Sequence, residues 1–509
     1  MRQRAVLFLF CLLLPVALCC RAADAATSFD IGAAANVWSV ALAYIAPRAL
    51  NPVTIPQMTL WGLNGLAALD PNLNTTLQSD EIRLFGPNQL LAAIPAPAAT
   101  DAQGWGTAAA KVAAAAYAAS PALQQAGTQG IIGNFFDELF NHFDPYSRYE
   151  DPLQAAQDEL MITGLAGTGL TLEDQHGKAV IATVAADSPA SDAGLQPGMV
   201  VNAMNGQTAY GSMANALNAD MAGLAGTSVS ISVTDPQADK GEGPQRLTLI
   251  RGFIPPQTVF SEPPVVAGTA FLKITGFNKG TGDQFSALLA KIISQPVPPT
   301  GLVLDLRGNR GGVLRQAVIV ADSLLQSGPI AETNGRDSDA DQMFKAEGAD
   351  LTNGAPMAVL VDGQTASAAE ILASALADDG RAVVIGSETL GKGLVQTVAA
   401  LPDGGELYVT WSRVLAPKGW PLQGLGLMPQ ICTSNGANAL NQQLAALANG
   451  RNLMAPALSQ ARAMRAPVGI GAMLAVRGYC PADIGGELDE QAAAAVLSTP
   501  EIYQAALLH

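Results

Sequence analysis

The chain has 509 residues, of which 49% are hydrophobic and 14% charged, with a net charge of -16. That is apolar material for about three domain cores on a ~150-residue norm, and it excludes a globally disordered chain. The acidic balance repels phosphate backbones and anionic lipid, which argues against nucleic acid and anionic membranes as partners.

The N-terminus opens with MRQR, continues with the apolar run AVLFLFCLLLPVALCC broken by Pro15, and reaches the small residues Ala23 and Ala25. This is the layout of a cleaved secretory signal over residues 1–25, cut after Ala25; an uncleaved anchor is the rival reading. The mature protein is then expected in the periplasm or outside the cell. No later segment reads as a membrane span. Three of the five cysteines fall in the signal. Cys432 and Cys480 remain, and in an oxidising compartment they either pair or stay as buried thiols.

Residues 26–155 read as a helical region. GTAAAKVAAAAYAAS and GIIGNFFDELFNHF carry good helix formers and helical spacing. DPYSRYED, Asp144 to Asp151, then breaks the pattern with proline and turn residues. Residues 156–253 switch to short strands and turns: AVIATVAA, a short helix in SPASDAGLQPGMVV, a helix in GSMANALNADMAGLAG, and alternation in SVSISVTD. Residues 254–435 alternate strands such as TAFLKI, GLVLDL, PMAVLVDG and AVVIGS with helices. That pattern predicts a mostly parallel sheet covered on both faces. Residues 436–509 read as a helical tail. The fold class expected is multidomain α+β.

The candidate chemistry lies in QTASAAEILASAL. Ser367 heads a predicted helix, with Glu370 three residues on. The pair reads as a capping box, and Ser367 reads equally as an exposed nucleophile flanked by alanines. Its base is not obvious. His142 and His176 lie outside the α/β region and His509 is the last residue, so a Ser-His-Asp triad is not expected, nor a metal site or cofactor. Lys392, between Gly391 and Gly393, is the remaining candidate, because a buried lysine is driven toward its neutral form. A bare Gly-Lys-Gly also suits a surface turn. In an extended segment Gln396 would share the face of Lys392 and could orient it. Ala368 N–H at the helix start and an N–H of Gly311 or Gly312 in DLRGNRGG would form an oxyanion hole. That loop lacks the Gly-Lys-Ser/Thr ending of a nucleotide-binding loop.

LVLDLRGNRGG, TASAAEILASALADDGRAVVIGSETLGKGLVQ and GLGLMPQ resemble the carboxyl-terminal processing (tail-specific) serine peptidases. FDPYSRYED is similar to the turn before their PDZ domain, and GTGLTLED, SPASDAGLQPGMVVNAMNGQT and SVSISV to that domain itself. The resemblance implies Ser367 as nucleophile, Lys392 as base, Gln396 as its partner, and Ala368 with Gly311 or Gly312 as oxyanion donors. It also implies that Gly167, Thr168, Gly169 and Leu170 receive a substrate's C-terminal carboxylate. The expected function is a periplasmic or secreted serine endopeptidase working through an acyl-enzyme on substrates with free C-termini; a homo-oligomer stays open. The alternative is a catalytically silent peptide-binding protein on the same scaffold. Ala369, Arg310, Met199 and Gln430 depart from the family's usual residues, which touches loop geometry and peptide preference more than the chemistry.

Overall fold

The computed structural model describes residues 28–185, 188–237 and 243–508. The expected signal segment lies outside the described residues.

In the N-terminal part, helices Ile31–Arg48, Ile55–Leu69, Ala102–Ala119 and Pro121–Phe140 begin at Asp30, Thr54, Asp101 and Ser120, each side chain accepting a first-turn N–H. Their alanines are core residues: Ala34, Ala41, Ala109 and Ala113 are buried and let helices approach around Trp38, Phe135 and Phe136. The purely helical reading of 26–155 needs correction. Strands Asn74–Gln78, Glu81–Phe85 and Leu90–Pro95 form an antiparallel meander. Its first hairpin turns on Ser79 and Asp80, both at positive φ (49° and 62°), the geometry of a tight two-residue turn. The boundary expected at residue 155 also falls inside a helix, Pro152–Thr163, which Asp151 caps.

Residues 164–254 build a separate small core around Ile181, Val201, Val229 and Ile231. The sheet runs Gln245–Ile250, Ser228–Thr234, Val200–Met204, Lys178–Val184, Leu170–Gln175, which leaves Leu170–Gln175 on an edge. The Ala214–Met221 helix lies beside that edge strand.

The next region centres on a six-stranded sheet in which Thr269–Ile274, Gly301–Asp305, Met357–Val361, Val383–Gly386 and Ile431–Cys432 run parallel, and Val259–Glu262 closes one edge antiparallel. Leu302 and Leu304 face helices Thr281–Ile293, Leu314–Asp322 and Ala368–Asp378, while Val303 faces the tail. Burial on both faces is why these strands are unbroken apolar runs. A second, antiparallel sheet, not anticipated from the sequence, joins Gln342–Ala346, Gly328–Gly335, Glu406–Leu415 and Leu394–Ala400. Arg148–Glu150 adds to it beside Glu406, Leu407 and Tyr408. Leu401, Leu407 and Val409 of its last hairpin belong to the N-terminal helical core, so helices and hairpin share one apolar interior.

Five helices form the tail: Ala437–Leu447, Ala455–Ala463, Ile470–Arg477, Glu487–Ser498 and Pro500–Ala506. Leu440, Val496 and Tyr503 cover the far face of the parallel sheet against Phe271, Leu360 and Ile385. A disulfide joins Cys432 to Cys480. No helix among the described residues is long and apolar enough to cross a membrane.

Candidate active site

Ser367 stands between the strand Met357–Val361 and the helix Ala368–Asp378. Its backbone has φ 56° and ψ -119°, a region that disfavours any side chain. The conformation is held from both sides. Asp362 Oδ1 accepts from Gly308, Gln364 and Thr365 N–H at 3.0 Å each, and Thr365 Oγ donates to Leu306 O at 2.9 Å. Of the capping box, the half that is a full hydrogen bond runs from Ser367 N–H to the Glu370 carboxylate, 2.8 Å.

Glu370 is more than a cap. It is fully buried, and its two oxygens take four donors. Oε2 accepts from Ser367 N–H and from Lys392 N–H at 2.9 Å; Oε1 accepts from Gly391 N–H at 2.8 Å and from the Thr389 hydroxyl. Sharing one oxygen brings the Ser367 and Lys392 backbone nitrogens within about 6 Å of each other, twice a hydrogen-bond length. Burial pushes the Glu370 pKa up, and the four donors pull against it.

The segment that carries Lys392 is latched residue by residue. Thr389 N–H donates to Leu427 O, Leu390 N–H to Thr365 O, and Gly393 N–H to Gln423 Oε1. The Lys392 ammonium lies 4.8 Å from the centre of the Tyr146 ring. Burial, followed by the Arg148 cation, holds its pKa below the usual lysine value, against the opposing pull of Asp144 and Glu370. The DPYSR turn, read from sequence as a turn only, thus supplies the lysine's surroundings.

The expected partner Gln396 is placed differently. Its amide donates to Leu394 O at 3.2 Å and to Thr410 Oγ at 3.0 Å, and that hydroxyl donates to Asp144 Oδ1 at 2.8 Å. No hydrogen bond joins it to Lys392 among the described residues. Gln396 therefore braces the hairpin and the Asp144 turn that surround the amine.

The oxyanion expectation is sharpened. Gly311 N–H is committed to Asn309 Oδ1 at 2.8 Å, so Gly311 is corrected from donor to spacer. A Cβ there would lie 2.7 Å from Ser367 Cβ and 3.0 Å from Ala368 N, so only glycine lets the loop sit against the helix start. Among the described residues the N–H groups of Ala368 and Gly312 have no acceptor. Asn309 anchors the loop: its side-chain amide donates to Ile274 O at 2.8 Å and its backbone carbonyl accepts from Ala366 N–H.

A cleft of about 260 Å³ opens beside this site between the helical part and the hairpin, lined by Val53, Trp61, Phe143, Asp144, Leu394 and Arg413, among others. His142 also lines it, stacked on Trp61 with ring centres 4.4 Å apart.

Gly167, Thr168, Gly169 and Leu170 belong to the 164–254 unit. Thr168 is buried and its N–H is committed to Met221 O at 3.1 Å, which removes it as a free carboxylate donor.

Glu388, also on the lysine-bearing segment, is fully buried and neither carboxylate oxygen has a hydrogen-bond partner. Its nearest cation is Arg477, 3.8 Å away. Burial pushes its pKa up to about 8, helped by Glu370 and opposed by Arg477.

The profile of peptidase family S41 matches residues 268–433. The chain is similar to the carboxy-terminal-processing protease of Bartonella bacilliformis, 32% identical over 307 residues that make up 60% of this chain and 69% of that protein. It is also similar to the carboxy-terminal processing protease CtpA of Bacillus subtilis, 31% identical over 57% of this chain; here it spans less than two thirds of the relative, 60%. Among solved structures it is similar to the photosystem II D1 C-terminal processing protease, at 26% identity over 73% of this chain and 92% of the other, with a TM-score of 0.35.

Two outcomes follow from the local geometry. At the Ser367 backbone angles glycine is unstrained, so Ser367→Gly should be more stable than Ser367→Ala by about 1 kcal/mol in chemical denaturation; an alanine variant of equal or greater stability would contradict the assigned conformation. For Glu388, the folded pKa of about 8 exceeds the usual 4.5. The folded state then binds more protons between these values, so this group's contribution to stability is lost as pH rises through that window. In melting curves at pH 5, 7 and 9, Glu388→Gln should gain on the wild type progressively with pH. A constant difference would refute the buried, unpartnered carboxylate.

Proposed function

Because the chain belongs to peptidase family S41, the carboxy-terminal-processing proteases, and is a serine-type peptidase, we infer that Ser367 and Lys392 are its nucleophile and general base. The observation that carries this reading is the Glu370 carboxylate, which ties both backbones to one oxygen. Lys392, kept toward its neutral form by burial, takes the Ser367 hydroxyl proton as Oγ attacks the substrate carbonyl carbon. The developing oxyanion sits at the Ala368 and Gly312 N–H groups. The lysine then gives its proton to the departing amine as the C–N bond breaks. Water, deprotonated by the same lysine, attacks the ester carbon, and as the ester C–O bond breaks the lysine returns that proton to Ser367 Oγ. Gln396 and Asp144 hold the lysine's surroundings in register.

The 164–254 unit is the PDZ module of this proposal and receives extended C-terminal peptides by strand addition at the edge strand Leu170–Gln175. Of the loop Gly167–Leu170, Gly169 and Leu170 are the carboxylate donors proposed. The edge is occupied in a specific way: Leu172 N–H donates to Asn218 Oδ1 at 2.7 Å, and the Asn218 amide donates to Leu172 O at 2.9 Å. An incoming strand has to displace that side chain. The protein works in a periplasmic or extracytoplasmic setting, consistent with its N-terminal signal pattern, on unfolded or loosely folded C-termini.

Lys392→Ala is expected to lose cleavage as fully as Ser367→Ala, by about a thousandfold or more, because groups acting as a unit are not additive. Wild-type activity should rise with pH to a plateau, with its midpoint below the ~10.4 of a free lysine. Near-normal turnover by Lys392→Ala would end the Ser/Lys reading. In calorimetric titrations Asn218→Ala should bind a C-terminal acid peptide about fivefold tighter than the wild type, since one weak pairing no longer competes. The amidated peptide should bind less well to both, and equal affinity for acid and amide would rule out carboxylate recognition.

A further inference from the structure

The tail beyond residue 433 lies outside the matched family segment, yet one of its side chains reaches the loop that carries Lys392. Arg477, at the end of the Ile470–Arg477 helix, donates through Nη2 to Thr389 O at 3.0 Å and through Nη1 to Leu425 O at 2.9 Å and Gly424 O at 3.2 Å. One guanidinium thus spans two loops. The first holds Thr389, Gly391 and Lys392. The second holds Gln423, whose side chain takes Gly393 N–H, and Gly424, whose N–H donates to Gly391 O at 2.8 Å. The fit is tight: a Cβ at Gly426 would lie 2.8 Å from Arg477 Nη1 and 2.7 Å from Thr389 O.

The helix end is itself fixed at this place. Three residues beyond Arg477, Cys480 is disulfide-bonded to Cys432, and its carbonyl accepts Glu388 N–H at 3.3 Å. Glu388 faces Arg477 at 3.8 Å. A cation that only neutralised Glu388 would not need three carbonyl contacts on two loops. Arginine's planar fork meets them with two nitrogens, whereas a lysine offers its donors from a single one.

We propose that Arg477 is a positioning residue for Lys392, clamping the Thr389–Gly393 and Gln423–Gly426 loops together so that the amine stays sheltered and aimed at Ser367. The proposal rests on the Ser/Lys reading above. Releasing the clamp lets the lysine loop swing toward water. Water restores the amine's proton affinity and degrades its aim, while the 164–254 unit proposed to hold the peptide's C-terminus makes no contact with Arg477 among the described residues.

The test uses the full chain and an internally quenched fluorogenic peptide cleaved by the wild type, with kcat and KM measured across pH for Arg477→Met, Arg477→Lys and Lys392→Ala. Arg477→Met should lose at least tenfold in kcat with KM within twofold, and its rising kcat limb should move to higher pH. Arg477→Lys, which keeps the charge but not the fork, should show the same changes to a smaller degree. Wild-type kcat with an unmoved limb would overturn the proposal, and so would a kcat loss with the limb unmoved, which marks a purely structural role. Should Arg477→Met fail to fold, a wild-type kcat and limb in Arg477→Lys would overturn it equally. Loss of activity in Lys392→Ala alongside a normal Arg477→Met removes the tail's role only. An active Lys392→Ala removes the Ser/Lys reading itself.

Discussion

One carboxylate organises the region proposed as catalytic. Taking Glu370 out of water costs several kcal/mol unless its lone pairs are satisfied, and here four donors from two chain segments satisfy them. The stabilisation is conditional. It is collected only when the Thr389–Lys392 segment folds back onto the start of the Ala368–Asp378 helix. The juxtaposition that the proposed Ser/Lys chemistry needs is therefore the arrangement that satisfies the buried carboxylate. Removing the carboxylate would leave Gly391 and Lys392 N–H groups without acceptors in the interior, each at a cost of about 1–3 kcal/mol.

Around that anchor, separate braces fix separate parts of the proposed reaction geometry. Asp362 and Thr365 hold the turn into Ser367, Asn309 holds the glycine loop against it, and Gln423 holds the far side of Lys392. The apolar interior shared by the N-terminal helices and the hairpin after Lys392 keeps the Asp144–Arg148 turn over the amine. Preorganisation here is spread over buried side-chain-to-backbone hydrogen bonds and one shared core, so several independent contacts fix the amine's environment.

What the sequence made legible was what local backbone chemistry dictates. Buried strands such as Gly301–Asp305 appear as apolar runs, and Ser367 among alanines and Lys392 between glycines mark places where backbones approach. Glu370 could be seen only as a cap, because three of its donors arrive 19 to 22 residues later through a fold-back that no periodicity encodes. Gln396 was expected to orient the lysine, and its amide instead donates to Thr410, which comes from the partner strand of the hairpin and leaves no local pattern in the sequence. The meander at 74–95 was hidden by the alanine-rich helices around it and by a turn made of Ser79 and Asp80 in place of the usual Asn-Gly. The strands Gly328–Gly335 and Gln342–Ala346 are half-exposed and lack a clean alternation. Arg477 had no local signal at all: its meaning lies in three carbonyls more than 50 residues away.

The strand Arg148–Glu150 pairs with residues more than 250 positions later in the chain, and the neighbouring Tyr146 ring covers Lys392, whose segment is closed by Gln423. Contacts of such sequence separation form late, after the loop-closure entropy between them has been met. Synthesis and export both thread this chain N-terminus first, so Tyr146 and Arg148 are present before Lys392, and the lysine's shelter is completed only after Gln423 has followed. On the Ser/Lys reading, cutting power then depends on contacts that a chain ending before Gln423 lacks. Chain topology would give this peptidase the delay that other proteases obtain from a removable pro-segment.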